Sequence, residues 1–445
     1  MTDRLEFKGY WHLPELPDKT IAGVLTYTPR KNIVLELMGS FDSGDDTLLA
    51  FLNKKREAII HGYTSDAKKI TLIKCDPWGS ANTNSFPLIK YSCQFLIIGK
   101  HISSMDDSSF HEAYIKFPVL SYWCHPGALR TLYEFNDKEK IKSISIAFDS
   151  YRDTDEDTIN SAVIDENTEL LLKRGVNYDS SYSRLEPKIS QRTFLVIRKG
   201  DDSSINDFIS NIYLYEQFLS LSTLRPIECK SVVLYDKECY QELKDGEKFH
   251  FPIELIYVQR GNNTEVAEEP RYFDFLFTYD TVKDEYSKII RKWFTDDKNI
   301  IPIRRHLIES IKPKTVFSSV DFLIVMQALE GFAKRFRKGE IKAQKVNKPT
   351  LREIIQGVLL EFSCIDKLKN EDIDLDEVVN SRHYYSHFME RSEMKSVLDG
   401  IELYELTHKL RKLLICCVLH FIGFDYHQIN DIFNNSDSHL LQTNV

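Results

Sequence analysis

The chain has 445 residues, of which 28% are charged and 42% are hydrophobic. This length suits about two to four domains, and the composition excludes a wholly disordered protein. The formal net charge of −9 argues against a protein that coats nucleic acid non-specifically. A nuclease function would therefore need a local basic surface.

Targeting signals are not visible in the sequence. The first residues carry no basic segment followed by an apolar one, so no signal peptide is predicted. The longest strongly apolar stretch, Leu413 to Phe424, is too short to span a bilayer. The eight cysteines form no CxxC pair, and most of them are predicted to be reduced core residues. We therefore expect a cytoplasmic protein without membrane contact.

Short β-like runs dominate the chain up to about residue 280. Gly23 to Tyr27 and Ile33 to Leu37 alternate in polarity on either side of Pro29 to Asn32, which predicts a hairpin. One helix is predicted at Asn206 to Leu221, where apolar residues recur at helical spacing. Further strands are predicted at Ile70–Cys75, Ile89–Ile98, Tyr114–Tyr122, Ile141–Phe148, Thr193–Ile197, Ser231–Tyr235 and Ile253–Val258.

Two polar segments divide the sequence. Asp149 to Asn160 predicts a break between two β-rich lobes near residues 150–160. Gly261 to Pro270 predicts a loop that leads to the helical half. We therefore expect a β-rich region at 1–280 and a helical region at 281–445.

The last third of the chain has the pattern of a helical bundle. Amphipathic helices are predicted at Ser319 to Phe336, from Thr350 onward, and at Glu402 to Phe421. Thr350 with Glu353 fits a capping box, and Gly423 is a natural stop. Three such helices bury their apolar faces against one another, which gives an α+β multidomain protein with an all-α C-terminal bundle.

The strongest candidates for catalytic residues lie between the second and third of these helices. Arg382, His383 and His387 combine a permanent cation with two imidazoles in the run RHYYSH. Arginine matches phosphate oxygens, and histidine moves protons near neutral pH. Together they suit attack of an RNA 2′-hydroxyl on the neighbouring phosphate, a reaction that requires no metal.

The spacing of the pair sets a geometric condition. Residues five apart diverge by roughly 140° on an ideal helix, so Arg382 and His387 would not point at one phosphate from a regular helix. The site needs a helix end, a local bulge, or a second copy of the motif across a two-fold axis.

The Arg-x4-His pattern in a helical bundle resembles the Rx4–6H signature of HEPN ribonucleases. The segments Gly9–Pro14 (GYWHLP), Gly23–Leu25 and Leu35–Phe41 resemble the β-rich N-terminal domain of ApeA-like proteins. The resemblance therefore covers both ends of the chain in the right order, while residues of roughly 45 to 280 match only in general character.

This resemblance implies a bacterial anti-phage protein of the abortive-infection kind. It implies that Arg382 and His387 are the catalytic pair, in a site formed at a homodimer interface. It also implies metal-independent cleavage of RNA, with transfer RNA a frequent target, leaving a 2′,3′-cyclic phosphate. The β-rich region would then be a sensor or regulator that responds to a phage-derived trigger.

Two further groups of residues in the helical region have both a functional and a purely structural interpretation. His383 either supports Arg382 or the RNA, or is simply solvated. Lys334, Arg335, Arg337 and Lys338, with Lys342, Lys345 and Lys348 beyond them, form a basic run that either contacts RNA phosphates or is an ordinary charged helix end.

Ligand and metal sites are not favoured by the spacing. Trp11 with Tyr10, and the run Tyr122 to Pro126, either line a pocket or pack in a core. No metal site or cofactor is predicted, because His383 and His387 lack the glutamate of a metalloprotease motif and His101, His111 and the cysteines lack ligand spacing. The competing function is a non-catalytic HEPN-like adaptor that dimerises and carries a ligand-binding β-region.

Overall fold

The protein is described here by a computed structural model. It covers residues 3–41, 56–82, 86–107, 109–124, 127, 129–148, 158–179, 188–244, 246–259, 271–295, 297–312, 318–337, 349–369, 371–438 and 440–441. The α+β organisation expected from the sequence is confirmed, with strands first and helices after them. Among these residues, no helix has the length and apolar character needed to cross a bilayer.

The chain forms two compact units that are not continuous in sequence. The first comprises Met1–Ser121, Gly127–Tyr213 and Glu228–Val266, and it holds the strands. The second comprises Tyr122–Pro126, Leu214–Ile227 and Ala267–Val445, and it holds most of the helices.

The strands that the structure describes all lie in the first unit. They are β1 (Leu5–His12), β2 (Ile21–Thr28), β3 (Asn32–Met38), β4 (Glu57–Thr64), β5 (Lys69–Asn82), β6 (Pro87–Ile98), β7 (Phe110–Lys116), β8 (Leu129–Phe135), β9 (Ile141–Phe148), β10 (Thr158–Asp165), β11 (Thr168–Asp179), β12 (Lys188–Ser203), β13 (Ser231–Asp236), β14 (Tyr240–Glu242), β15 (Lys248–His250) and β16 (Ile253–Tyr257).

The first six strands close into a barrel. Their order is β6-β3-β2-β1-β4-β5, and β5 also pairs with β6, which completes the ring. The first half of β6 pairs with β3 and its last residues pair with β16. The sheet therefore continues beyond the barrel in the order β16, β13, β7, β12, β11 and β10, and neighbouring strands in this part are antiparallel.

The barrel is filled by alternating apolar side chains. Trp11 on β1 is fully buried, with Leu25, Leu35 and Leu72 around the same core. Trp11 lies opposite Gly62 of β4 in the register of the two strands. A Cβ atom at Gly62 would lie 2.3 Å from the Trp11 ring, so the tryptophan occupies the space that only glycine leaves open.

The helices begin within the β-rich half and then dominate the second unit. They are α1 (Leu120–Trp123), α2 (Ile205–Thr223), α3 (Tyr279–Val282), α4 (Tyr286–Trp293), α5 (Ile301–Ile311), α6 (Ser319–Phe336), α7 (Leu351–Glu361), α8 (Asp366–Lys369), α9 (Leu375–His387), α10 (Gly400–Ile422) and α11 (Tyr426–Asn435). Short 3₁₀ turns occur at Tyr272–Asp274 and Arg391–Glu393.

The long helix α10 lies at the centre of the second unit. Its residues from Leu410 to Leu419 are buried without interruption, which is typical of a helix surrounded by others. It ends at Gly423, whose φ of 118° only glycine adopts without strain. The buried cysteines Cys416 and Cys417 lie in this helix, where burial raises the pKa of each thiol well above its usual value.

Segments from the β-rich half of the chain complete the core of the second unit. The indole of Trp123 donates a hydrogen bond to the Phe277 carbonyl at 3.0 Å. The indole of Trp293 donates to the Leu214 carbonyl at 2.7 Å. Tyr215 and Tyr286 pair through their hydroxyls at 3.1 Å, and both rings are buried.

Most predicted elements are confirmed. The hairpin is β2 and β3, and α6 has the predicted bounds. The capping box at Thr350 and the stop at Gly423 are both present. The strand predicted at Tyr114–Tyr122 is wrong in its second half, because β7 ends at Lys116 before Pro118 and α1 follows.

The two predicted polar boundaries fall largely on undescribed residues. Of Asp149–Asn160, positions 149–157 lie outside the described residues and the rest belongs to β10. The whole of Gly261–Pro270 lies outside them.

We predict that Gly62→Ala destabilises the first unit by about 1–3 kcal/mol, because the added methyl group collides with the Trp11 ring in a packed core. Denaturant unfolding followed by tryptophan fluorescence measures this. Gly79→Ala is the matched control, since a Cβ atom there meets nothing within 4 Å. An equal loss in both variants would show that the Trp11 contact is not the cause.

Candidate functional site

The candidate site lies at the C-terminal end of α9. The helix begins at its N-cap, Asp374, whose side chain accepts a hydrogen bond from the Asp376 amide. It ends at His387, because Phe388 adopts the left-handed conformation with a φ of 53°. The RHYYSH run therefore occupies the last two turns of a helix rather than its middle.

The segment at 395–398 fixes the orientation of α9. The buried hydroxyl of Ser381 accepts a hydrogen bond from the Leu398 amide at 3.0 Å. The Tyr385 hydroxyl donates to the Leu398 carbonyl at 3.1 Å, and the Asn380 side chain donates to the Lys395 carbonyl at 2.7 Å. These polar side chains hold one face of the helix, so that Arg382 and His383 lie on another part of its surface.

Arg382 and His387 are in direct contact within one chain. Arg382 Nη1 lies 2.9 Å from His387 Nε2. A guanidinium has only donors, so Nε2 accepts the hydrogen bond and the neutral ring carries its proton on Nδ1. Of the three arrangements that the spacing allowed, this is the helix end: His387 is the last helical residue, and the long Arg382 side chain reaches it.

A buried carboxylate on α6 holds Arg382 in place. Arg382 Nε donates to Glu330 Oε1 at 2.9 Å, and the Glu330 side chain is only 11% exposed. The other oxygen of Glu330 accepts a hydrogen bond from Lys334 Nζ at 3.0 Å. The pairing joins α6 to α9 and directs the guanidinium toward His387.

The sequence did not single out Glu330 as a site residue. It lies between Leu329 and Phe332, which are both buried in the apolar stripe of α6. A carboxylate beside such a stripe needs a cationic partner in order to be buried. This position was the sequence feature that could have pointed to Glu330. The sequence could not show which cation would be its partner.

His383 lies beside the pair. Its ring is roughly parallel to that of His387, with 5.7 Å between the centroids. Burial lowers the pKa of His383 below its usual value, and the nearby Arg382 and His387 lower it further. His383 is therefore neutral near pH 7 and adds no positive charge to the site.

In the described part of the predicted basic run, each cation has a hydrogen-bond partner within the protein. Lys334 is exposed and pairs with Glu330, while Arg335 donates to the Asn299 carbonyl at 2.6 Å. Arg337 forms a two-pronged ion pair with Glu361, at 2.9 and 2.6 Å, and packs over the Phe332 ring. Lys338, Lys342, Lys345 and Lys348 lie outside the described residues.

The aromatic candidates for a ligand pocket are mostly core residues. Trp11 and Trp123 are fully buried, as is Cys124, whereas Tyr10 is largely exposed. His125 and Pro126 lie outside the described residues. Core packing is therefore the interpretation that the two tryptophans support.

One group of histidines in the first unit has ligand-like spacing. Among the described residues, His12, His61 and His101 each offer one possible ligand atom, and these three atoms all lie within 4.8 Å of one another. Burial lowers the pKa of His101 to about 4 and also lowers that of His61. Of these three histidines, only His101 was considered as a possible metal ligand on sequence grounds, because positions 12, 61 and 101 form no local motif.

Comparison with known families covers most of the chain. A family model described as ApeA N-terminal domain 1 matches residues 6–293, and one described as Apea-like HEPN matches residues 323–428. Neither a curated protein nor a solved structure matches the chain. HEPN domains are generally associated with RNA cleavage, and the ApeA-like proteins with anti-phage defence. The chain belongs to the ApeA-like family, with an ApeA N-terminal domain followed by a HEPN domain.

Proposed function

We propose that this protein is a metal-independent endoribonuclease of anti-phage defence, with Arg382 and His387 as its catalytic pair. The observation that carries the proposal is the 2.9 Å contact between Arg382 Nη1 and His387 Nε2. It joins a permanent cation and a proton-transfer group at an exposed helix end. Membership of the HEPN family supports the same assignment.

The proposed reaction is transesterification of RNA. The 2′-oxygen attacks the adjacent phosphorus, a P–O2′ bond forms and the P–O5′ bond breaks. The products are a 2′,3′-cyclic phosphate and a free 5′-hydroxyl. His387 accepts the proton of the 2′-hydroxyl, solvent supplies the proton to the 5′-oxygen, and Arg382 stabilises the charge on the non-bridging oxygens.

Substrate binding is expected to release His387 for this role. A phosphate oxygen is a stronger acceptor for a guanidinium than a neutral imidazole is, because the hydrogen bond is charge-assisted. Arg382 would therefore exchange His387 for the phosphate, which frees the Nε2 lone pair to accept a proton. Glu330 stays bound to Arg382 Nε during the exchange and acts as a positioning residue.

Neighbouring side chains supply supporting roles in the proposal. His383, neutral and beside His387, orients Arg382 or the RNA. Lys334 and Arg335 are exposed and contact RNA phosphates, with affinity that falls as salt rises. Arg337 contributes less to RNA binding, because Glu361 already neutralises its charge. Transfer RNA is the proposed substrate, by extension from related HEPN nucleases.

The active form is proposed to be a homodimer that joins two α9 ends. Phe388 is 91% exposed and follows His387 directly, with Met389 also exposed beside it. An exposed aromatic residue with a positive φ carries a cost in strain and in hydration. A second copy of the chain that covers Phe388 would offset this cost.

Regulation is assigned to the N-terminal region at 1–280, which would restrain the nuclease until a phage-derived trigger is present. Experiments should use the full chain. A fragment that begins at 281 would lose Trp123 and Tyr215 from the core of the second unit.

We predict that His387→Ala lowers RNA cleavage by about 10²-fold or more, because proton transfer is lost. Purified full-length protein is incubated with bacterial RNA in EDTA, with and without lysate of infected cells, and product ends are mapped. His427→Ala is the matched control, since His427 is 85% exposed and pairs with Asp431 in the same unit.

The outcomes of this assay distinguish the proposed functions. Equal cleavage by the wild-type and His387→Ala proteins would contradict the assignment of the catalytic pair. No cleavage in any condition would favour the adaptor function instead. Cleavage that is as fast without lysate as with it would argue against restraint by the N-terminal region.

We predict that Glu330→Gln lowers kcat/KM by about 10-fold, since the amide keeps the shape but loses the charge that holds Arg382. Single-turnover cleavage of a defined RNA measures it. Glu361→Gln is the matched control, because it removes the carboxylate from the comparable pair with Arg337. Equal losses in the two variants would indicate a general effect on stability.

We predict that Phe388→Asp weakens dimerisation by about 10-fold or more and lowers cleavage in parallel, because a charge replaces an apolar contact at the interface. Light scattering over a range of protein concentrations measures the association. Leu360→Asp is the matched control, at an apolar residue that is 63% exposed on α7. A Phe388→Asp protein that remains dimeric would rule out this surface as the interface.

A further inference from the structure

Three histidines meet in the first unit, outside the candidate nuclease site. His12 ends β1, His61 lies on β4 as its direct cross-strand partner, and His101 follows β6. One ring nitrogen of each lies within 4.8 Å of one nitrogen of each of the others. Three separate segments of the barrel therefore bring imidazoles to one point.

The rings are arranged closely. His61 and His101 are stacked, with 4.2 Å between centroids and 2° between planes. The His12 ring meets both edge-on, at 5.6 Å and 5.9 Å. His12 and His61 are buried, and His101 is half-buried, so the group lies near the surface without being fully solvated.

Hydrogen bonds to the backbone define the state of each ring. His12 Nδ1 lies 2.9 Å from the Leu13 carbonyl, His61 Nε2 lies 2.9 Å from the Ile102 carbonyl, and His101 Nε2 lies 3.0 Å from the Gly62 carbonyl. A carbonyl only accepts, so these three nitrogens carry protons. In the neutral rings the remaining nitrogens, His12 Nε2, His61 Nδ1 and His101 Nδ1, carry lone pairs.

This pattern is the one that metal-binding histidines show. A ligating histidine typically donates its other N–H to a carbonyl or carboxylate, which fixes the tautomer and the ring orientation. Here all three rings do so, and each acceptor is a backbone oxygen. Within the part of the chain that the structure describes, no protein donor is found for the three remaining nitrogens.

We propose that His12, His61 and His101 form a binding site for a divalent transition metal, with Zn²⁺ as the first candidate. Three imidazole nitrogens are a common ligand set for this ion, and they leave a fourth position for solvent or a ligand. Zn–N distances of about 2.1 Å place ligand nitrogens roughly 3.4 Å apart, so the rings close slightly on binding.

The site would tie together β1, β4 and the segment that follows β6. His12 and His61 lie beside the Trp11 and Gly62 pair, and Gly62 itself accepts the hydrogen bond from His101. Metal binding would therefore stabilise the first unit. It places no metal in the HEPN domain, and the proposed RNA cleavage stays metal-independent.

The test uses the full chain, stripped of metal with a chelator and titrated with Zn²⁺ alone by calorimetry. We expect a single binding event per chain and a rise in the unfolding temperature of the first unit. His101→Gln should weaken binding by about 10²-fold or more, because a ligand is lost. His250→Gln, at a half-buried histidine of the same unit outside the group, should bind as the wild type does.

A second readout does not depend on any variant. Co²⁺ in place of Zn²⁺ should give the visible absorption of a low-symmetry nitrogen site in the wild-type protein, and Zn²⁺ should displace it. No binding of Zn²⁺ by the wild-type protein, or equal binding by His101→Gln, would overturn the proposal. Because RNA cleavage is not measured, failure here is distinct from failure of the nuclease assignment.

Discussion

The ion pair between Glu330 and Arg382 is the interaction on which the candidate nuclease site depends. The Glu330 side chain is 11% exposed and the Arg382 side chain is 22% exposed, so both are largely withdrawn from water. Loss of Glu330 would leave the Arg382 guanidinium without its carboxylate partner, at a cost of about 3–5 kcal/mol for a fully buried pair and less here. The interaction is therefore better understood as a constraint on geometry than as a source of stability. It determines which of several directions a long, flexible arginine takes.

The end of α9 is the second constraint, and it explains how a five-residue spacing serves one site. Within a regular helix the two side chains would diverge, but His387 is the last helical residue and Phe388 turns the chain away. Because the chain turns away after His387, the long Arg382 side chain, which Glu330 holds through its Nε, reaches the His387 ring at the end of the helix.

Local patterns in the sequence predicted what local physics determines. The capping box at Thr350, the stop at Gly423 and the β2–β3 hairpin each depend on neighbouring residues, and all three are present. Barrel closure by β5 and β6 depends on pairing across the unit, as does the arrival of Tyr215 and Trp123 in the helical core. In the candidate site, the local pattern singled out Arg382 and His387, which stay a prediction, whereas Glu330 and the group of His12, His61 and His101 depend on contacts that no local spacing records.

The distribution of charge links the acidic chain to a function that requires an RNA-binding surface. Of the cations near the site, Arg337 is 17% exposed and its partner Glu361 is 14% exposed, so separating them would uncover two poorly solvated charges. Lys334 is 57% exposed, and its pair with Glu330 costs little to exchange for a phosphate. If the proposed RNA binding occurs, transfer of Lys334 to a phosphate would leave Glu330 with Arg382 alone, and this would strengthen the hold of Glu330 on the proposed catalytic guanidinium. The described part of the basic run could thus serve the proposed nuclease function of an acidic chain, because RNA binding would rearrange existing ion pairs and would not require a permanently positive surface.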